Sequence, residues 1–412
     1  MKKFVPLSRN TLSDKFLVRS YGGAKLNYVL FSVLADLQHQ RTMYCKKCLY
    51  LFILCIFAAA NLIDFINMND TYSDNKELIK RPLVSVVIPV YNAGELLRPC
   101  LDTLVNQTLR DIEIICVLDC PTDGSDKVVE EYAEKDDRIV VIRNEKNLNI
   151  GESRNVGLRA ARGEYIGFSD HDDTRELDMY EKMYEATNNG EKCIVFSGQI
   201  VDAFLNHEFP TYLNNLMERI KQLPLNQQLF YSLIPRGGQK CRMHITPNIY
   251  NHRFAIQHNL HFVDTKECGA EDKLFLLSAL AAVQNDDDIS LMNHTFYLYR
   301  FHETNTHDAE WYIDRSHVIN FLYCLHDLAK KNKWIDPIIY YSLFLVVQIS
   351  ELYTCFKRDI RQIGPANTLK TYRNLFNSSV ILKDIISSTP LKIKGLTSAK
   401  RLFLLWAKRV IR

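Results

Sequence analysis

Between residues 83 and 169, four short apolar runs alternate with three segments of helical pattern, and this alternation most constrains the fold. Leu83 to Tyr91, Ile112 to Asp119, Ile139 to Ile142 and Tyr165 to Ser169 are dominated by Val, Ile and aromatic residues. Runs of this kind suit strands buried on both faces, because there is no polar face to turn to water. Helical stretches lie between them, at about Gly94 to Gln107, from the Pro121 to Ser125 turn to Lys135, and from Gly151 to Ala161. Strands and helices alternating at this spacing predict an α/β domain with a mainly parallel sheet and helices on both faces.

The fourth run ends abruptly in Asp170-His171-Asp172-Asp173. The C-terminal edge of such a sheet is where ligands bind. Three adjacent carboxylates repel one another unless a cation is shared, and Mg²⁺ or Mn²⁺ between carboxylates and substrate phosphates fits this pattern. The competing reading, given equal weight, makes Asp172 or Asp173 the N-cap of a helix beginning near Arg175. The other strand ends add to the first reading. Pro89 and Tyr91 close the first strand, and Asp119 closes the second, where a carboxylate can accept the imide N–H of uracil. Arg154 precedes the fourth strand and can face a base or a phosphate. No G-x-G-x-x-G follows the first strand, so the dinucleotide-binding fingerprint is absent.

Five pieces occur in order: Val84-Ser85-Val86-Val87-Ile88-Pro89-Val90-Tyr91-Asn92, Asp123-Gly124-Ser125, Ser153-Arg154-Asn155-Val156-Gly157-Leu158, Gly163-Glu164-Tyr165-Ile166 and Asp170-His171-Asp172-Asp173. Ala270-Glu271-Asp272-Lys273-Leu274-Phe275 follows them. Over roughly residues 82 to 305 the chain resembles glycosyltransferase family 2, inverting sugar transferases with a GT-A nucleotide-binding core. The resemblance implies that Asp119 contacts the base, that Asp170 and Asp172 hold ribose and metal, and that Asp272 is the catalytic base. It further implies a nucleotide-diphosphate sugar as donor, a UDP-sugar above others, and a hydroxyl of a glycan or lipid-linked acceptor in surface polysaccharide synthesis. Single displacement by that hydroxyl inverts the anomeric centre.

Two departures bear on this. Leu118 stands where the family often has a first acid, and Cys120-Pro121 replaces Gly-Ser, stiffening the turn. Arg300-Phe301-His302 resembles the family's Tyr-Arg-x-His segment, so His302 is a tentative metal ligand, with a structural histidine as its alternative. Asp286-Asp287-Asp288 reads as a solvated turn, and Gln239-Lys240-Cys241-Arg242-Met243 falls in the wrong order for a processive acceptor motif, which favours transfer of one sugar per encounter. Glu271 is expected to support its helix N-terminus by charge. The alternatives carried are a nucleotidyltransferase and an inactive, membrane-associated sugar-nucleotide-binding scaffold.

The organisation expected is a helical N-terminal extension over 1–81, a catalytic domain over 82–310 and a helical C-terminal region over 311–412. A net charge of +3 gives no nucleic-acid signature, and eleven irregularly spaced cysteines fit a reducing compartment. The apolar run 48–63 is short for a bilayer span, so a buried or membrane-surface helix is favoured and a single-pass anchor is the alternative. Residues 391–412 hold seven Lys or Arg and no acid. A terminal helix there groups Ala399, Leu402, Phe403, Trp406 and Val410 on one face. It reads equally as an interfacial helix on anionic lipid and as a helix packed on the protein's own core. A cytoplasmic protein, peripheral on the inner face of the membrane, is the corresponding localisation.

Overall fold

The computed structural model describes residues 81–197, 219–232, 245–266, 268, 270–300, 315–332, 352–388 and 397–411. The apolar run 48–63 and His302 lie outside them, as does the segment 239–243.

Seven strands form the main sheet, in the order β3-β2-β1-β4-β7-β6-β8. They are β1 (Val84–Val90), β2 (Ile112–Leu118), β3 (Ile139–Arg143), β4 (Tyr165–Phe168), β6 (Ile194–Ser197), β7 (Asn248–Asn251) and β8 (Ile289–Met292). The first four are mutually parallel, as their patterning predicts, and β7 alone runs antiparallel to its neighbours β4 and β6. Its short polar sequence, Asn248-Ile249-Tyr250-Asn251, gives no alternation from which that direction can be read.

Every residue of β1 and β2 is buried. Alternate side chains pack into separate cores on opposite faces. Val87, Ile115, Val117 and Phe168 point to one side; Val86, Ile88, Ile114 and Cys116 point to the other. Helices α1 (Leu97–Val105), α2 (Ser125–Ala133) and α4 (Met179–Glu185) cover the second side. Helices α3 (Asn149–Ala160) and α7 (Glu271–Ala282) cover the first, with α5 (Leu225–Ser232) and α6 (His252–Gln257) between them in sequence. Contact between α3 and β1 is unusually close at Gly157, where a Cβ would lie 2.2 Å from Val87 Cγ1.

Thr174–Arg175 forms a two-residue strand, β5, antiparallel to β9 (Tyr297–Leu298). This corrects the expectation of a helix beginning near Arg175. Helix α4 starts only at Met179, its N-cap is Asp178, and neither Asp172 nor Asp173 caps it. Pairing with β9 competes successfully for the backbone of residues 174 and 175.

The helical C-terminal region comprises α8 (Arg315–Lys331), helical residues 352–363, α9 (Pro365–Ser378), α10 (Val380–Ser388) and α11 (Ser398–Val410). It has its own core around Leu352, Tyr372, Phe376, Phe403 and Leu404. Helix α8 joins the two cores, sending Phe321 and Leu325 toward the sheet and Ile319 and Leu322 toward the helices. Among the described residues, no helix is long and apolar enough to cross a membrane.

Candidate active site

The C-terminal ends of β2, β1 and β4 lie side by side. Asp119 N–H bonds the Val90 carbonyl at 2.9 Å, and Ser169 N–H bonds the Val87 carbonyl at 2.9 Å. Strand order reverses direction between β1 and β4, so the loops after them flank the crevice expected at such a switch point. Pro89 and Tyr91 edge it, with Tyr91 47% exposed. The Pro89 carbonyl lies 3.1 Å from His171 Nδ1, which ties the acidic loop to the first strand.

Asp119 is buried, and its carboxylate accepts three hydrogen bonds. Asn144 Nδ2 and Leu148 N–H reach Oδ1 at 2.7 Å each, and Asn149 N–H reaches Oδ2 at 2.9 Å. A carboxylate offers about four acceptor sites, so three organise the loop leading into α3. Leu118, in place of an acid, is buried in the core. Cys120 has φ +58°, a left-handed conformation that suits glycine, and its Sγ lies 3.4 Å from the Asn144 carbonyl.

Arg154 is the centre of the constellation. Its guanidinium donates through Nη2 to Asp170 Oδ1 at 2.7 Å and through Nη1 to Glu271 Oε1 at 3.0 Å. It lies over the Phe262 ring, 5.4 Å from the centroid. Burial works against the arginine's charge, but Asp170, Glu271 and Asp272 outweigh it and hold the pKa above the ordinary value. An aromatic floor supports the group: Phe262 stacks on Phe275 at 4.3 Å, and Phe168 meets both edge-on.

Three ties fix α3 to the segment leading into α7. Asn155 exchanges two hydrogen bonds with the Phe262 backbone, each 2.8 Å. Gly151 N–H donates to Thr265 Oγ1 at 3.0 Å, with no room there for a Cβ. The Arg154–Glu271 pair is the third.

Glu271 opens α7, but its side chain turns inward rather than serving the helix terminus alone. Burial, then the charge of Asp272, push its carboxyl up to about 7 against the pull of Arg154. Asp272 accepts the Lys273 N–H at 2.7 Å and interacts electrostatically with Arg154 and Glu271. Asp170, Glu271 and Asp272, from two distant segments, therefore gather around one guanidinium. The adjacency Glu271-Asp272 was visible in sequence; the inward turn of Glu271 was not, because i and i+1 on a helix diverge and only the fold decides which faces the crevice.

Beneath the acidic loop, Asp173 is fully buried and accepts the Arg300 N–H at 2.8 Å. Burial, then Asp170 and Asp172, raise its carboxyl to about 7. Tyr297 accepts the Asp170 N–H at 3.1 Å. Arg175, also buried, donates to Ser169 Oγ at 2.8 Å and to the Asp173 carbonyl at 3.1 Å. Neither Tyr297 nor Arg175 carried a sequence signal for this role.

Asp170 and Asp172 follow β4 in the acidic loop, and no group of three or more His, Cys, Asp or Glu converges as a metal site among the described residues. Two carboxylates completed by substrate phosphates remain a fitting donor set for Mg²⁺ or Mn²⁺. Asp286–Asp288 forms an exposed 3-10 turn in which Asp286 accepts the Leu225 N–H, as a solvated turn should.

Residues 85–253 match the model described as Glycosyl transferase family 2. Over those residues the chain is similar to glycosyltransferase family 2. An uncharacterized glycosyltransferase, EpsJ of Bacillus subtilis, is 33% identical over 219 residues, covering 53% of this chain and 61% of that protein. The poly(ribitol-phosphate) beta-glucosyltransferase of Bacillus spizizenii is 47% identical over 95 residues, 22% of this chain and 15% of that protein. The chain thus spans less than two thirds of these relatives' own length. Among solved structures, S. aureus TarS 1-349 in complex with UDP-GlcNAc superposes with a TM-score of 0.54 at 20% identity, over 80% of this chain and 88% of that one. That likeness concerns the fold alone.

Proposed function

We propose that the protein is a metal-dependent inverting glycosyltransferase, moving one sugar from a nucleotide diphosphate to a hydroxyl of a glycan or lipid-linked acceptor in surface polysaccharide synthesis. The observation that carries this reading is the gathering of Asp170, Glu271 and Asp272 around Arg154 at the C-terminal edge of the sheet.

The roles follow from position. The edge between β1 and β2 receives the nucleoside, with Tyr91 beside it and the remaining acceptor site of Asp119 facing the base. Asp170 orients the ribose, itself fixed by Arg154. Asp172, with Asp170, would hold Mg²⁺ or Mn²⁺, which supplies charge neutralisation for a diphosphate leaving group; His302 is the further candidate ligand. Asp272 removes the proton from the acceptor hydroxyl as it attacks the anomeric carbon from the side opposite the diphosphate. Arg154 and Glu271 keep Asp272 aligned and set the charge around it. A UDP-sugar is the donor class favoured, consistent with a family-fold protein captured with UDP-GlcNAc.

Asp272→Asn tests the assignment. General-base loss should lower transfer by about 10²–10⁴-fold while donor binding, measured by calorimetry with a nucleotide sugar and Mn²⁺, stays within a few fold. Undiminished turnover would remove Asp272 from the role.

A further inference from the structure

The chain's near-neutral charge conceals a sharp division. Residues 352–412 carry thirteen Lys or Arg and two acids, whereas residues 1–351 carry 38 and 46. The basic excess falls on the helical C-terminal region, not on the donor crevice.

The same region concentrates exposed apolar side chains. Of nine large hydrophobic residues exposed among the described residues, five belong to it: Ile363, Leu369, Val380, Leu402 and Leu405. Helix α11 shows how the two features combine. Phe403, Leu404 and Ala407 pack into the helical core. Leu402, expected on one face with Ala399, Phe403, Trp406 and Val410, is instead 66% exposed, and Leu405 is 39% exposed. At 100° per residue, Ser398, Arg401, Leu402, Leu405 and Arg409 fall within one arc of about 100°, opposite the packed face. All five are exposed, and none is acidic.

Helix α9 repeats the arrangement. Thr368, Tyr372 and Phe376 are buried, while Leu369, Lys370, Arg373 and Asn377 form the exposed stripe. Asn377 Nδ2 donates to the Val410 carbonyl at 3.3 Å, so the C-terminal ends of α9 and α11 meet.

Single exposed leucines are ordinary, but Leu402 and Leu405 share one exposed arc with Arg401 and Arg409, and a cover both apolar and anionic matches that arc. We propose that the exposed stripes of α9 and α11 are a docking surface for an anionic lipid bilayer. The leucines enter the headgroup and acyl boundary while the basic side chains reach lipid phosphates. A free polyanion would satisfy the charges but leave the leucines in water, so the bilayer accounts for both features. This surface is independent of the sugar-transfer reading, although it would bring the crevice to a lipid-linked acceptor.

The test uses the full chain and phosphatidylcholine vesicles with and without phosphatidylglycerol, scored by co-sedimentation. Parent protein should partition onto the anionic vesicles and release as salt rises, since the Debye length shrinks from about 10 Å at 0.1 M to about 3 Å at 1 M. Leu402→Asn with Leu405→Asn should lower the partition coefficient about tenfold or more, with an unchanged melting temperature because neither side chain packs in a core. Arg373→Glu with Arg409→Glu should lower it at least as far, at about fivefold per basic charge lost. Any vesicle affinity of residues 1–80 is common to parent and variants and cancels. Absence of binding to anionic vesicles, or equal partition of parent and leucine variant, overturns the proposal. So does a leucine variant that keeps its vesicle binding while the charge variant loses both vesicles and inorganic polyphosphate; that pattern would identify a polyanion surface instead.

Discussion

Arg154→Met removes the one cation at the centre of the site while keeping most of the side-chain volume. Its two partners differ in exposure. The Glu271 side chain is 9% exposed and the Asp170 side chain 23%, so water compensates Asp170 more readily. Breaking a buried pair costs about 3–5 kcal/mol when the remaining charge is trapped. Here the remaining charge has an escape, because Glu271 already holds its proton up to about pH 7. The sign follows directly. An acid whose folded pKa is raised above its unfolded value binds more protons when folded, so it lowers stability as pH climbs from the unfolded value toward the folded one. Without Arg154 that pKa rises further, so the penalty of the variant grows from about pH 7, where the parent gives up the proton, toward the variant's higher value. The expected loss is about 1 kcal/mol at pH 5, where Glu271 is neutral in both proteins, and about 2–3 kcal/mol at pH 8. At about 2–4 °C per kcal/mol, metal-free melts followed by circular dichroism should show a drop of about 2–4 °C at pH 5 and about 4–12 °C at pH 8. An equal drop at both pH values would show that Glu271 does not titrate beside Arg154, and a rise at pH 8 would refute the buried network altogether.

Gly157→Ala should destabilise by about 1–3 kcal/mol, because its Cβ would meet Val87 Cγ1 at 2.2 Å, and a double-mutant cycle with Val87→Ala should show strong favourable coupling in denaturant titrations. Cys120→Gly should stabilise by about 1 kcal/mol by relieving a left-handed φ of +58°, read as a higher urea midpoint with unchanged slope. Arg175→Met should weaken Mn²⁺-dependent nucleotide binding by calorimetry about tenfold, through loss of the donors that hold Ser169 and the Asp173 carbonyl, while Arg175→Lys recovers part of it.

Legibility in the sequence followed periodicity. The runs that became β1 to β4 were apolar at nearly every position, broken only by Ser85, Glu113 and Arg143, and burial on both faces explains such a pattern, so their parallel order was readable. Gly157 and Gly151 were visible inside a helical pattern, but their reason was not. A close approach to Val87 or Thr265 is a tertiary fact, and a lone glycine carries no record of its neighbour. The acids at 170–173 were readable as a cluster because they interrupt an apolar run. Their different fates were not: Asp173 is buried under the loop and Asp170 is claimed by Arg154, although the two share residue type and surroundings in sequence. The helix expected at Arg175 failed for the same reason. Two residues of β pairing with a strand more than a hundred residues away leave no periodic trace.

The placement of Tyr297 and Arg300 changes where the functional unit ends. The family match stops at residue 253, yet the acidic loop is held by groups beyond it. The Tyr297 hydroxyl accepts the Asp170 N–H, its ring lies 5.6 Å from the Arg175 guanidinium carbon, and the Arg300 N–H caps the Asp173 carboxylate. Arg175 keeps Nε and Nη1 unpartnered in a buried setting, a cost tolerated only because Nη2 and the tyrosine face hold it beneath the loop. The acidic loop is thus held by two arginines, Arg154 at the Asp170 carboxylate and Arg175 at Ser169 and the Asp173 carbonyl, and each has a partner outside the matched region: Glu271 for the first, Tyr297 for the second. A fragment cut at residue 253 keeps four parallel strands and the acids that follow them, Asp119, Asp170, Asp172 and Asp173, but loses Asp272 and both supports. Such a fragment retains the sheet edge and forfeits the geometry, so the smallest piece that can bind a nucleotide sugar in the manner argued must extend through Arg300.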